Sequence, residues 1–238
     1  MSSFLPHDVE WTPEKVGRLW GYYSSSAAHA GSYFSSHSGA AIVEHVDRTV
    51  GLVGQRVLDF GCGRGDLLAH LLDRGVASAG LEFDEASAAE SLRRFAGNAL
   101  FEGVTVASTL PSSLAAGAFD RVLLVEVVEH LLDDQVAGTL AEIRRLLAPG
   151  GRVVATAPNA ESLGAAMTRC PDCGGTFHIW QHQRSLDPGS LAELFERAGF
   201  LNVATSAVFW GRQPRLRRLR RLGAPYAPHL LYVGTPRG

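Results

Sequence analysis

From residue 55 onward the chain alternates short apolar runs with amphipathic stretches. The runs at 56–60, 77–83, 104–107, 121–126 and 152–156 have strand length. Some are apolar almost throughout, as in Val122-Leu123-Leu124-Val125, which is the pattern of strands buried on both faces. Between them, 66–74, 85–96 and 135–147 read as helices. Right-handed crossovers joining such units build an open parallel sheet with helices on each side. A further helix at 190–198 is stopped by Gly199, and strands at 202–210 and 230–233 can close as a terminal antiparallel pair. The expected fold class is therefore α/β: a doubly wound, seven-stranded, mostly parallel sheet.

Residues 1–50 precede the sheet and read as an N-terminal helical cover, with an amphipathic helix at 39–50. Trp11, Trp20, Tyr22, Tyr23, Tyr33 and Phe34 are spread through Ser- and Ala-rich sequence there. Aromatic residues are more often core than contacts, so the expectation is a cover with partial lid duty. Residues 51–238 form the main domain, with an insertion at about 160–184. The stretch Arg215-Leu216-Arg217-Arg218-Leu219-Arg220-Arg221-Leu222 reads as a short helix with a basic face, either solvated or a landing site for an anionic substrate or RNA.

Composition narrows the classes. The chain has 238 residues, 46% apolar and 19% charged, with a net charge of −2. That suits one well-cored domain with modest additions and predicts no bulk attraction to nucleic acid or anionic lipid. Three cysteines do not make a secreted disulfide framework. No apolar run is long enough to span a bilayer and no leader is evident, so the expected location is cytoplasmic.

The chain is organised around Val57-Leu58-Asp59-Phe60-Gly61-Cys62-Gly63-Arg64-Gly65-Asp66, a strand, tight turn and helix start. Amide groups at that helix start are expected to face a ligand. The glycine spacing is not that of the dinucleotide fingerprint, and Asp59 would repel a pyrophosphate. A cationic or zwitterionic ligand suits the loop better. Ligands of such sheets lie at the carboxyl ends of the strands, where the loop, Glu82, Glu126 and Asn159 all fall.

With these motifs in place, the sequence resembles the class I S-adenosylmethionine-dependent methyltransferases, whose sheet is Rossmann-like. The likeness runs from about residue 55 to the C-terminus. It implies that Gly61, Cys62 and Gly63 contact the methionine part of S-adenosylmethionine, with Asp59 beneath them. It implies that Glu82 binds the ribose diol and that Phe83 packs near the adenine. Glu126 and Tyr33 are further expected cofactor contacts. The family's acid after the third strand is missing from Ala107-Ser108-Thr109-Leu110-Pro111. The aromatic N-terminal region and the Cys-Pro-Asp-Cys insertion resemble bacterial polysaccharide and glycoside O-methyltransferases.

Glu126, Glu129 and His130 would share a face on one helical turn. The Glu-x-x-Glu-His pattern resembles the metal site of the Hen-type small-RNA 2′-O-methyltransferases, with His182 at the position of the further histidine. A divalent ion there, Mg²⁺ or Mn²⁺, would acidify a sugar hydroxyl. Without metal, His130 or His182 becomes the general base, and Glu129 joins them as a catalytic candidate. Cys170 and Cys173, with His178, make a candidate structural Zn²⁺ site; a zinc-free turn or a redox pair are the alternatives. Trp180 and Arg184 either line a substrate cleft or pack under the insertion.

The expected activity is O-methylation of a saccharide or glycosylated metabolite. The acceptor would be a small molecule or oligosaccharide rather than nucleic acid, with no membrane span and with room for a homodimer. RNA ribose methylation and a non-catalytic partner of a second methyltransferase are the other readings.

Overall fold

The computed structural model describes residues 4–26, 29, 31, 33–210 and 227–237. In chain order its elements are β1 (His7–Asp8), α1 (Pro13–Ser25), α2 (Phe34–Val50), β2 (Arg56–Phe60), α3 (Asp66–Asp73), β3 (Ala77–Glu82), α4 (Glu85–Arg94) and β4 (Phe101–Val106). There follow β5 (Phe119–Val125), α5 (Asp133–Leu146), β6 (Leu147–Pro158), a 3₁₀ turn (Leu163–Ala166), β7 (Met167–Arg169), β8 (Gly175–His178), α6 (Pro188–Arg197), β9 (Phe200–Val208) and β10 (His229–Pro236). The basic stretch at 215–222 lies outside the described residues.

Seven strands form one sheet in the order β4-β3-β2-β5-β6-β10-β9. The pairs from β4 through β6 are parallel, and β10 runs antiparallel to both β6 and β9. This is the doubly wound, mostly parallel sheet expected from the sequence. β5 shows why its strands read as continuous apolar runs. Val122 and Leu124 pack with Leu140 and Ile143 of α5 and Phe195 of α6, while Leu123 and Val125 pack with α2 and α3.

α2 presents Ile42, Val43, Val46 and Val50 to the core along one helical stripe. Gly39 allows the close approach of α3: a Cβ there would lie 2.4 Å from the His70 ring. The helix begins at Phe34 rather than 39, with the Phe34 ring against His229 at 4.5 Å. β6 extends beyond 152–156 because β5 pairs on one side and β10 on the other.

A second sheet, of order β1-β8-β7, was not foreseen. β7 and β8 form a hairpin whose turn holds the cysteine pair, and β1 pairs in parallel with β8. The N-terminal segment and the insertion therefore join in one layer. In the main sheet, chain order reverses between β2 and β5, which places a crevice at the carboxyl ends of β2, β3 and β5.

Candidate active site

After β2 the backbone turns through Gly61, Gly63 and Gly65, all at positive φ. At Gly65 a Cβ would stand 2.5 Å from the Phe95 ring and 2.9 Å from Ser91 Oγ, so a side chain does not fit. Above Gly63 a Cβ would meet nothing within 4 Å among the described residues, leaving an open face in that part of the structure.

The N–H groups of this loop are already committed. Gly61 and Cys62 donate to the Leu81 carbonyl at 2.8 and 3.1 Å, and Gly65 donates to the Cys62 carbonyl at 2.9 Å. Gly63 donates to Glu82 Oε2 at 2.7 Å. The expected row of ligand-facing amides is not found at these four positions. A phosphate needs such amides.

The acidic groups are placed for a different ligand. Asp59 is 3% exposed and its Oδ2 has no hydrogen-bond partner among the described residues. Burial, and then the nearby Glu82 and Asp66 charges, push its carboxyl up to about 8. Glu82 Oε1 accepts from the Phe83 and Asp84 N–H groups at 2.7 and 3.0 Å. Burial raises the Glu82 pKa, while its three backbone donors oppose that. Phe83 is 41% exposed beside Phe60. Burial pushes the Tyr33 phenol up to about 12, with the charges of Arg64, Asp66, Glu82 and Asp84 as smaller causes. This acceptor-rich cradle fits a ligand carrying positive charge and a diol. Cys62 packs its thiol toward Gly80, and burial drives its pKa well above the ordinary value, so its side chain is a packing group.

β5 ends at Val125, and Glu126 takes φ 52. Residues 126–130 form a turn rather than the expected helical face. This separates Glu126 from the other candidate ligands. Its Oε1 accepts from Thr156 Oγ1 at 2.9 Å and lies 3.6 Å from His229 Nδ1. Glu129, His130 and His182 do converge, with ligand atoms within 4.8 Å of one another, and Glu126 is not among them. Glu129 is 1% exposed, and neither carboxyl oxygen has a hydrogen-bond partner among the described residues. Burial, then the Glu126 charge, holds it well above the carboxylate range. Burial, then His182, lowers His130 to about 3, leaving a neutral and weakly basic ring.

His182 has a partner that the sequence did not suggest. Its Nδ1 lies 2.5 Å from Glu161 Oε2. Glu161 Oε1 lies 3.6 Å from His178 Nε2. His178 Nδ1 accepts from the Trp180 and His182 N–H groups at 3.3 and 3.2 Å, which places the His178 proton on Nε2. Glu161, His178 and His182 thus form a second triad. His178 is consequently not the zinc partner expected for Cys170 and Cys173. It pairs with Met167 at the far end of the hairpin, on the order of 10 Å along β8 from the cysteine turn.

α1 spans the mouth. Trp20 meets the His130 ring edge-on at 4.9 Å, stacks near Tyr33 at 6.5 Å, and donates from Nε1 to Gln181 Oε1 at 2.9 Å. Gln181 is fully buried and donates to the His130 carbonyl at 2.7 Å. Tyr23 donates to the Ile179 carbonyl and packs against Trp180 at 5.4 Å. Arg184 is held by the Val128 carbonyl and Asp133. Val127 borders Gly61, so the imidazole cluster adjoins the glycine loop.

A family model described as a methyltransferase domain matches residues 34–205. The chain belongs to this family. Among relatives of this methyltransferase, a protein of Mycolicibacterium smegmatis named as a probable S-adenosylmethionine-dependent methyltransferase is 33% identical, over 66% of this chain and 56% of that protein. A ubiquinone biosynthesis O-methyltransferase of Pseudomonas aeruginosa is 31% identical over 47% of each chain. The methyltransferase thus spans about half the length of these relatives. The fold is shared with a Burkholderia thailandensis 1,6-didemethyltoxoflavin-N1-methyltransferase solved with S-adenosylhomocysteine, with TM-score 0.66, 21% identity, and 98% and 94% coverage. A methyltransferase in complex with the Haloferax volcanii Trm112 activator aligns with TM-score 0.67 at 18% identity, covering 92% of this chain and 98% of its own.

Proposed function

We propose that this protein transfers a methyl group from S-adenosylmethionine to a hydroxyl of a saccharide or glycosylated metabolite. The observation that carries this reading is the His182–Glu161 pair, set beside neutral His130 and under an aromatic roof next to the glycine loop. Relatives named O-methyltransferases support oxygen as the acceptor atom. The Trp20, Tyr23 and Trp180 rings offer faces on which a sugar can stack.

Bound S-adenosylmethionine supplies an electrophilic methyl group. Asp59 and Glu82 would hold its positive charge and its ribose, over the open face at Gly63. When no ion is bound, with Nδ1 engaged by Glu161, Nε2 of His182 is the nitrogen left to take the proton of the acceptor hydroxyl. Glu161 fixes the ring's orientation and tautomer and stabilises the imidazolium formed by that transfer. α1 shields the reacting atoms from water through Trp20.

Glu129, His130 and His182 are the donors that would hold a divalent ion, Mg²⁺ or Mn²⁺, and the unpartnered Glu129 oxygens and His130 Nδ1 fit one. Such an ion would acidify the acceptor hydroxyl.

The test is transfer of labelled methyl to a panel of oligosaccharides and glycosides, with Mg²⁺, with Mn²⁺ and with EDTA. Label in a glycoside supports the reading. Label in RNA alone, or no uptake of S-adenosylmethionine by calorimetry, overturns it.

A further inference from the structure

Cys170 and Cys173 sit in the turn between β7 and β8, outside the site described above. Both thiols are free. The turn has the form of a metal knuckle. The Gly174 N–H closes it on the Cys170 carbonyl at 3.0 Å, and Gly174 takes φ 80. The thiolate is the form of cysteine that binds metal.

The N-terminal segment sits on this turn. A Cβ at Gly174 would strike the Leu5 carbonyl at 2.6 Å. A Cβ at Gly175 would stand 3.4 Å from Cys173 Sγ and 3.6 Å from His7 Nε2, so thiol and imidazole border one glycine face. His7 Nδ1 is hydrogen-bonded to the Leu5 carbonyl at 2.9 Å. That bond places the proton on Nδ1 and leaves Nε2 as a free lone pair, the usual arrangement of a metal-binding histidine and its outer partner.

We propose that Cys170, Cys173 and His7 form a zinc site that fastens β1 to the β7–β8 hairpin. Two thiolates and an imidazole are a tetrahedral zinc set with one position left for water. The three ligand atoms are not gathered within 4.8 Å as those of the two buried triads are. His7 is exposed, which leaves its ring room to approach the ion. β1 has two residues, held by the His7 N–H to the Gly174 carbonyl and the Val9 N–H to the Thr176 carbonyl. A metal bond adds the anchoring that so short a strand lacks.

The test uses the full chain, purified under reducing conditions and loaded with Zn²⁺ or Co²⁺. Cobalt reports the ligands separately: thiolate bonding gives a charge-transfer band that the carboxylate–imidazole triads cannot produce, and tetrahedral geometry gives intense visible bands. Both bands are expected in the native chain; C170S and C173S each weaken the charge-transfer band, and the double variant loses it. His7→Ala should weaken zinc in chelator competition by on the order of 100-fold, at least the cost of losing an outer-shell partner. His178→Ala should leave the thiolate charge-transfer band in place. Near-UV circular dichroism and S-adenosylmethionine binding check that each variant is folded. No thiolate charge-transfer band in the native chain, a Cys170–Cys173 disulfide under reducing conditions, or unchanged zinc affinity in folded His7→Ala each overturns the proposal.

Discussion

The Nδ1 of His182 lies 2.5 Å from Oε2 of Glu161, a residue 21 positions earlier in the chain. The contact determines which histidine nitrogen carries the proton and which is left for chemistry. Replacing Glu161 by Gln or Ala should remove that preference. Nitrogen-15 spectra of the histidines should show one His182 tautomer in the native chain and a mixture in Glu161→Ala. Turnover should fall by about 10–100-fold, as for loss of an outer-shell partner, with little change in cofactor affinity.

Glu82 anchors three backbone N–H groups and borders the open glycine face. Glu82→Ala should weaken S-adenosylmethionine binding by at least roughly 10–100-fold, the equivalent of about 1.5–3 kcal/mol for one hydrogen bond to a charged group. Calorimetry measures this directly. Unchanged affinity would remove Glu82 from the cofactor site.

Asp59 gives a pH signature. Its folded pKa, about 8, lies above its unfolded value of 3.8. Between those values the unfolded chain gives up this proton while the folded chain keeps it. The contribution of Asp59 to stability is therefore full below about pH 4 and is lost as pH rises toward 8. A cationic ligand reverses the shift, so cofactor binding near neutral pH should release up to one proton. Binding heats in buffers of different ionisation enthalpy should reveal that release, and Asp59→Asn should abolish it.

Trp20 connects α1 to both Gln181 and His130. Trp20→Ala removes that latch from a half-buried position, so the fold should persist. Amide exchange at residues 178–182 should quicken, and methyl transfer should fall while the main sheet keeps its protection. Equal loss of protection in β2 and β5 would mean that Trp20 serves the core instead.

Gly65 is tested by stability. An alanine there meets Phe95 at 2.5 Å and must hold φ 83. Gly65→Ala should cost about 1–3 kcal/mol, or roughly 2–4 °C of melting temperature per kcal/mol for a chain of this size.

Local pattern carried much of the architecture. Val122 to Val125 alternate between two buried faces, so β5 is legible as an apolar run. The glycine loop and Glu82 were legible because strand ends and tight turns leave marks within a few residues. Glu126, Glu129 and His130 look like one ligand face only if the backbone is helical. The turn starting at Glu126, at φ 52, sends its carboxylate to Thr156 instead. Glu161 left no signal, because its spacing to His182 matches no local period.

By itself the sequence determined the main sheet's strands and helices, the glycine turn, and the type of ligand that its acids suit. These are consequences of hydrophobic period, turn chemistry and charge, all read over short distances along the chain. Only tertiary structure decided that Glu161 orders His182, that His178 leaves the cysteines, and that β1 brings His7 to the Gly175 face that Cys173 borders. Those pairings arise where chain crossings bring distant segments together, and side-chain spacing in sequence carries no record of them.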